Sequence, residues 1–348
     1  DRLRIEVPCA GVDFRLQLPV LGGDACRTWL QVQNVGDEDT IALLVVWGDP
    51  GLCPPQAAGP LKSECSGLLR PGSAWSFAED QIPGGARSGV IYSLSADPIE
   101  DEPGQSVPFG LLVCDAVFDR VVGNHFQWLV FDSAYRDRGS FQGLDFGLHQ
   151  GEPLAVTVNR NCPDPADPNL SVNAAYTGVS SDMEGAYDPA YGGYTYYAPL
   201  ILAAQGGLNS RIAIQNSGDL CTSLEIWFKA RDNCLRPVLG DVLTVSPGET
   251  VLFDPNTILG PGWIGSAWIR ATQPLGIVVD TLGPSHFTAY NGIAADVYDL
   301  DFSLGTQINY APLVYSEHQG WDSLIQVQNL SATYAAKVKV YFLDQSGG

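Results

Sequence analysis

The stretch TWLQVQN at Thr28–Asn34 returns as SRIAIQN at Ser210–Asn216 and as SLIQVQN at Ser323–Asn329. In all three copies the third and fifth residues are apolar, and polar or small residues separate them. Alternation with a period of two is typical of a β-strand that buries one face. The sequence therefore predicts the same half-buried strand three times, with these inward residues: Leu30, Val32, Ile212, Ile214, Ile325 and Val327.

Each copy ends in an asparagine, at Asn34, Asn216 and Asn329, directly before a turn-rich segment. An Asn side chain can bond to backbone two residues further on and close an Asx turn, so we expect these three residues to have a structural role. A second strand follows in each copy. Its alternation predicts these inward residues: Leu43, Val45, Trp47, Leu224, Ile226, Phe228, Val338, Val340 and Phe342.

The first two copies continue in parallel, which indicates an internal repeat. LRPGSAWSF at Leu69–Phe77 matches VSPGETVLF at Val245–Phe253, and GEPLAVTVN at Gly151–Asn159 matches TQPLGIVVD at Thr272–Asp280. With 38 Gly and 24 Pro, the chain favours many short strands separated by turns. We predict an all-β protein of tandem immunoglobulin-like antiparallel β-sandwich repeats, the last one incomplete, with a closed antiparallel barrel as the alternative architecture.

The predicted organisation includes an insertion at about Pro98–Glu152 that the second repeat lacks. We expect it to add a hairpin to a sheet edge or to form a lobe over one sheet. The predicted segments, by residue number, are N-terminal strands for pairing between subunits at 1–17, repeat one at 18–185, a Tyr-rich linker at 186–198, repeat two at 199–295, a linker at 296–311 and half of a third repeat at 312–348.

The net charge of −21 excludes some classes of partner. A strongly acidic chain repels nucleic acid and anionic membrane surfaces, and this chain has no basic stripe that would release counterions. No apolar run is long enough to span a bilayer as a helix.

Cysteine usage indicates an oxidising compartment. The chain has eight cysteines, without a CxxC pair and without zinc-ligand spacing, so we expect disulfides. The favoured pair brackets a Pro/Gly-rich loop, and three others are weaker candidates. The pairs are Cys53–Cys65, Cys114–Cys162, Cys9–Cys26 and Cys221–Cys234. Because the chain begins at Asp1 rather than Met, we also expect a mature exported protein with an extracellular or cell-surface location.

The combined pattern of a Pro-Leu opening followed by GWDSLIQVQN, VSPGET, GPGWIGSAWI, QPLGIVVD and AYNG resembles a repeat of long secreted and cell-surface proteins of bacteria, notably Chloroflexota. The resemblance covers most of residues 18–348 outside the insertion. It implies extracellular β-sandwich arrays with structural or adhesive roles, and it brings no catalytic residues. The first copy departs most, because it has GDACRTW before its strand and its second half is split.

Signs of chemistry in the sequence are weak. Ser285, His286 and Asp280 could be combined into a hydrolytic triad, but no GxSxG nucleophile elbow supports it. We therefore expect no enzyme activity and no catalytic residues. Calcium is the only cofactor to consider, because the loops Asn161–Asn169 and Asp296–Asp301 are rich in oxygen ligands, although neither has EF-hand spacing and ordinary polar loops would look the same.

The function predicted from these patterns is structural. The third repeat contains only its opening and two strands, and such a fragment leaves open edges that can pair with another chain. We expect head-to-tail pairing with N-terminal strands of the next subunit, and a homopolymer that forms a filament, sheath or surface layer. The predicted interface residues are Leu324, Ile325, Val327, Val338, Val340 and Phe342.

Two alternatives stay open. In one, the sequence is part of a longer array that completes the third repeat. In the other, the protein is an adhesin or a carbohydrate-binding module that uses the insertion or the Tyr-rich stretch, with polysaccharide as its partner and Tyr194, Tyr196 and Tyr197 as stacking residues.

Overall fold

The computed structural model describes most of the chain up to residue 295 and single short stretches beyond it. The described residues are 12–22, 25–48, 61–102, 105–108, 110, 114, 117–122, 125–129, 142–145, 150–180, 185–231, 236–295, 325, 327–329 and 337–340. All structural statements below refer to these residues.

The described elements are strands and two short 3₁₀ turns, at Glu79–Gln81 and Pro255–Thr257. The strands are β1 (Val12–Asp13), β2 (Arg15–Leu18), β3 (Arg27–Asn34), β4 (Thr40–Trp47), β5 (Lys62–Leu69), β6 (Ala74–Phe77), β7 (Ser88–Ser95), β8 (Pro98–Glu102), β9 (Gln105–Pro108), β10 (Val117–Val122), β11 (His125–Leu129), β12 (Gln142–Asp145), β13 (Leu154–Pro163), β14 (Ser171–Thr177), β15 (Tyr194–Ala203), β16 (Asn209–Asn216), β17 (Thr222–Ala230), β18 (Val238–Val245), β19 (Thr250–Phe253), β20 (Trp263–Ala271), β21 (Leu275–Gly283), β22 (His286–Asn291) and β23 (Ile293–Ala294).

Four antiparallel sheets form two sandwiches, which confirms the predicted all-β class. The first sandwich pairs the sheet β1-β13-β3-β6, with β14 on β13, with the sheet β2-β7-β4-β5. The second pairs β19-β16-β21-β22 with β18-β17-β20-β15-β23. The two sandwiches share most of their strand order: β14-β13-β3-β6 corresponds to β22-β21-β16-β19, and β2-β7-β4-β5 to β15-β20-β17-β18, while β1 and β23 have no counterpart.

Strands β3 and β16 bury the residues that their alternation predicts. In β3, Leu30 and Val32 have no exposed surface, and in β16 the same holds for Ile212 and Ile214. Each pair lies in the hydrophobic core of its own sandwich. Burial of these apolar side chains stabilises the folded state by roughly 1.5–3 kcal/mol each.

The predicted Asx turns are confirmed in both sandwiches. The Asn34 Oδ1 atom accepts from the backbone N–H of Gly36, while its Nδ2 donates to the carbonyls of Glu38 and Leu69. Asn216 repeats all three bonds, with its Oδ1 accepting from the N–H of Gly218 and its Nδ2 donating to the corresponding two carbonyls. Both asparagines are fully buried, so their role is to close the turn after the strand.

One predicted strand face is wrong in the first sandwich. The residues of β4 that belong to the core are Ala42, Leu44 and Val46, whereas the prediction named Leu43, Val45 and Trp47. The predicted residues are on the opposite face and are nevertheless at most 5% exposed. Because β4 is apolar on both faces, its pattern could not tell which face belongs to the core, and a one-residue shift exchanges the two faces.

The N-terminal strands also differ from the prediction. Residues from Val12 to Leu18 were expected to pair with another subunit, but β1 pairs with β13 and β2 pairs with β7 of the same chain. Leu16 and Leu18 have no exposed surface and belong to the first core. The strand before Pro19 is thus the first strand of the sandwich, and Leu3–Val7 lies outside the described residues.

The Tyr-rich stretch is part of the second sandwich rather than only a linker. Tyr194–Ala203 forms β15, which pairs with β20 along its length and with β23 at Tyr196 and Tyr197. Tyr196 is buried, and its hydroxyl accepts from the backbone N–H of Leu275 at 2.7 Å. Aromatic residues favour strands, and this hydrogen bond explains why one tyrosine is tolerated inside the core.

The insertion contributes its own small sheets, one of β8 and β9 and one of β10, β11 and β12. A disulfide between Cys65 and Cys114 joins it to β5. Gly110 also approaches β4 closely, because a Cβ atom added there would lie 2.8 Å from Cδ1 of Ile41. The insertion therefore packs on the outward face of β4.

The disulfides confirm an oxidised protein but not the predicted pairing. Cys26 is bonded to Cys162, and Cys65 to Cys114, so the pairs Cys53–Cys65, Cys114–Cys162 and Cys9–Cys26 are wrong. Tertiary neighbours decide these bonds: the register that pairs Arg27 with Asn161 places Cys26 beside Cys162. Cys221 is also disulfide-bonded, whereas Cys9, Cys53 and Cys234 lie outside the described residues.

Residues Ser303–Gly348 form a separate compact unit. Its described residues, 325, 327–329 and 337–340, are not in strands, although the sequence predicts two strands there.

No described part of the chain forms a helix that is long and apolar enough to cross a membrane.

Candidate functional surfaces

The predicted assembly residues are exposed wherever the structure describes them. Ile325 and Val327 are 41% and 54% exposed, and Val338 and Val340 are 57% and 51% exposed. Leu324 and Phe342 lie outside the described residues. Ile325 and Val327 match positions that are fully buried in the first two copies, so the third copy presents apolar side chains that a sandwich core would otherwise cover.

The packing of the two sandwiches against each other was not expected from the sequence. Residues up to Phe302 form one compact unit. Ala213 of β16 and Val278 of β21 face away from the second core and belong to the first one, with 3% and 0% exposure. The sequence does contain one indication of this packing. Ala213 stands where the other copies have Gln31 and Gln326, and an apolar residue on a predicted outward face indicates a contact.

A buried ion cluster lies at this junction. Nη1 of Arg160 in β13 is 2.5 Å from Oδ2 of Asp280 in β21, and the Arg160 side chain has no exposed surface. Nη2 of Arg211 is 2.7 Å from the same oxygen, and its side chain is 30% exposed. The guanidinium of Arg160 also lies over the ring of Phe287, 5.5 Å from its centroid. These contacts connect both sandwiches through a single carboxylate.

Polar groups at two other places extend the junction. Gln215 Nε2 donates to the carbonyl of Gly89 in the first sandwich at 3.0 Å, and Ser88 Oγ donates to the carbonyl of Gly248 in the second at 3.2 Å. Asn291 Nδ2 donates to the carbonyl of Thr177 at 3.1 Å. The junction thus combines apolar burial with hydrogen bonds.

The structure does not assemble the three residues considered as a hydrolytic triad. The carboxylate of Asp280 is held by the two arginines, and Ser285 donates from both its N–H and its hydroxyl to Oδ2 of Asp164. The backbone hydrogen bond from Ala166 and those from Ser285 hold the pKa of Asp164 below its usual value. Ser285 has a φ of 53°, which is in the left-handed region. Its two hydrogen bonds to the Asp164 carboxylate hold it in this turn.

The loop at Asn161–Asn169, considered for calcium, uses its acids to form turns. Asp164 Oδ1 accepts from the N–H of Ala166, and Asp167 Oδ1 accepts from the N–H of Asn169. Among the described residues, no group of three or more His, Cys, Asp or Glu could hold a metal ion. The second loop, Asp296–Asp301, lies outside the described residues.

Two tyrosines make the same contact in the two sandwiches. The hydroxyl of Tyr176 donates to the carbonyl of Val20 and accepts from its N–H, at 2.6 and 3.2 Å. Tyr290 does the same with Leu200, at the same two distances. Burial raises the pKa of both hydroxyls, so both remain neutral. Each tyrosine fixes the residue that follows the opening proline of its repeat.

An aromatic row crosses the outward face of the sheet β18-β17-β20-β15-β23. The strand register places Trp227 opposite Trp268, and Trp268 opposite Tyr197. Leu239 and Ile293 continue the row at its two ends and are 43% and 49% exposed. Tyr197 was predicted from the sequence as a stacking residue, whereas the two tryptophans were not, because only the pairing of β17 with β20 brings them together.

The comparisons with known proteins assign no family. No protein-family model matches the chain, and neither does any curated protein. A crystal structure of Thermotoga maritima 1070 is similar over 30% of this chain and 94% of that chain, with 18% identity and a TM-score of 0.24.

Proposed function

We propose that the protein is a non-enzymatic extracellular structural protein, the subunit of a filament, sheath or surface layer that is assembled through β-strand pairing between subunits. The observation that carries the proposal is the exposure of Ile325 and Val327, at positions that are buried in the two preceding copies. Exposed apolar side chains in a segment whose sequence alternates like a strand favour pairing with another chain.

The remainder of the chain suits a mechanical role. The two sandwiches are packed into one unit by the Arg160–Asp280 contact and by shared apolar burial. Disulfides at Cys26–Cys162 and Cys65–Cys114 restrict the unfolded chain. A subunit of this kind resists deformation, and its acidic surface keeps it soluble before it assembles.

Electron microscopy of the purified protein tests the proposal. We expect regular fibres or sheets, and we expect the double variant Val338→Asp/Val340→Asp to remain dispersed, because a carboxylate cannot enter a strand interface without a large desolvation cost. The matched control is Lys337→Asp/Lys339→Asp, which adds the same side chains at the alternate positions of the same segment and should still assemble.

Three results would count against the proposal. The first is a wild-type protein that stays dispersed at all concentrations. The second is assembly that is equally unaffected in both double variants. The third is a longer natural chain in which later strands cover Val338 and Val340, because the exposed residues would then belong to an ordinary sandwich. Thermal unfolding of each variant should show that the two complete sandwiches are still folded.

A further inference from the structure

We propose that the outward face of the sheet β18-β17-β20-β15-β23 binds a neutral polysaccharide, with Trp227, Trp268 and Tyr197 as the stacking surface. The site is independent of the assembly residues described above, and it can be present whether or not the protein polymerises.

This face is aromatic, whereas a solvated sheet face is normally polar. The side chains of Trp227, Trp268 and Tyr197 alternate with the core residues Ile226, Ile269 and Tyr196 and are all partly exposed. The two indoles stack against each other, with planes that differ by only 3° and ring centroids 6.0 Å apart. Nε1 of Trp227 donates to Oε2 of Glu225 at 3.0 Å, which holds one indole in place.

On the equivalent face of the first sandwich, the corresponding positions are aliphatic and buried. There Val45 is paired with Val90, in the positions that Trp227 and Trp268 occupy in the second sandwich. Both valines are at most 2% exposed, and this face is covered by other parts of the chain, including Gly248, where an added Cβ atom would lie 3.2 Å from the Trp47 indole. The fold therefore does not require aromatic residues at these positions; they are present where the face is open.

The neighbouring row of the same face is polar and charged. Glu225, Arg270 and Thr195 are paired across the same strands, on the same face, one row away from the aromatic residues. The guanidinium of Arg270 lies over the ring of Tyr191, 4.6 Å from its centroid, and Tyr191 is 62% exposed. Aromatic faces next to hydrogen-bonding groups match a sugar chain, which presents flat C–H surfaces and hydroxyl edges together.

The dimensions favour a sugar chain over a protein partner. Five strands at about 4.8 Å spacing give a row of about 19 Å, of which the three aromatic residues occupy about 10 Å. Rows on one face are about 7 Å apart, so the whole row, with Leu239 and Ile293 at its ends, covers about 130 Å². A stable protein interface needs about 800 Å² on each partner, with few charged residues at its centre. The row is too small and too closely flanked by charges for that, but it matches the length and width of an oligosaccharide.

The charge of the protein selects a neutral ligand. At a net charge of −21 the chain repels polyanions at long range, which disfavours acidic polysaccharides. Binding of a neutral chain should depend little on ionic strength, in contrast to an interaction that depends on charge.

Titration calorimetry with cellohexaose and sedimentation with insoluble cellulose test the proposal, since β-1,4-linked glucose forms a flat chain. We expect the wild-type protein to bind, and Trp227→Ala, Trp268→Ala and Tyr197→Ala each to weaken binding by about tenfold or more, the loss expected when one stacked ring is removed. The matched control is Trp75→Ala, which removes a tryptophan that is 38% exposed on the first sandwich and should bind as the wild type does.

Because an alanine could also disturb the sheet, the affinity of Trp268→Phe is measured as a further control. The thermal unfolding of each variant shows whether it is still folded. The phenylalanine variant should retain most of the affinity. The proposal is overturned if cellohexaose, xylohexaose and mannohexaose all fail to bind, or if binding survives the triple alanine variant. It is also overturned if the alanine variants instead dissociate a dimer in analytical ultracentrifugation, which would identify the face as a contact between copies. None of these results depends on whether fibres form.

Discussion

At the residue scale, the repeated motifs correspond to repeated hydrogen-bond sets. Asn34 and Asn216 each make three bonds to backbone groups, and the bonds connect the same positions in both sandwiches. This role was predictable, because an Asx turn is local. The contact of Tyr176 with Val20 was not, because 156 residues separate them and no local pattern connects them.

We expect Tyr176→Phe and Tyr290→Phe each to lower the free energy of unfolding by about 1–3 kcal/mol. Tyr176→Phe leaves the buried N–H and carbonyl of Val20 without the hydroxyl that satisfies both, and Tyr290→Phe does the same to the part-buried N–H and carbonyl of Leu200. Urea unfolding followed by tryptophan fluorescence measures the loss. Tyr191→Phe is the control, because this tyrosine is 62% exposed and its hydroxyl should contribute less than about 0.5 kcal/mol. An equal loss in all three variants would contradict the proposed role of the buried hydroxyls.

At the scale of the elements, the alternation of apolar residues predicted β3 and β16 correctly but failed for β4. A strand with one buried face has a readable pattern, whereas β4 is covered on both faces and every one of its eight residues is buried. The insertion and the second sandwich cover its second face, so the pattern reflects tertiary contacts that the strand alone cannot show. The pairing of cysteines failed for the same reason, since their neighbours are set by strand register.

The disulfides should stabilise the first sandwich to different extents. We expect Cys65→Ser/Cys114→Ser to cost about 2–4 kcal/mol, and Cys26→Ser/Cys162→Ser to cost about 1 kcal/mol more, because the chain-entropy loss grows with the closed loop. The two loops span 49 and 136 residues. Guanidinium unfolding under non-reducing conditions checks the order. A larger loss in the first variant would show that the bond of the insertion to β5, rather than loop length, determines the effect.

At the scale of the whole molecule, the two sandwiches are one unit because the second uses an outward sheet face as a contact surface. Ala213 and Val278 join the first core, and Asp280 pairs with an arginine from the other sandwich. A buried pair of this kind is costly to break, since the remaining charge stays in a place that water does not reach.

We therefore expect Asp280→Ala to lower the free energy of unfolding by about 3–5 kcal/mol, because it leaves the fully buried Arg160 without its carboxylate. Arg211→Met should cost about 1 kcal/mol or less, since that side chain is 30% exposed and keeps part of its hydration. Urea unfolding of the full chain gives both values. Similar losses for the two variants would mean that the burial of Arg160 does not decide the stability of the junction.

The order of the residues by itself determined the all-β class, the inward face of the quoted strand and the Asx turns. All of these follow from patterns with a period of two or from contacts a few residues apart. Only the tertiary structure decided the cysteine pairs, the core face of β4, the packing of the sandwiches and the alignment of Trp227, Trp268 and Tyr197 in one row. These depend on which strands become neighbours, and strand neighbours are selected by the burial of whole faces rather than by any local stretch of the chain.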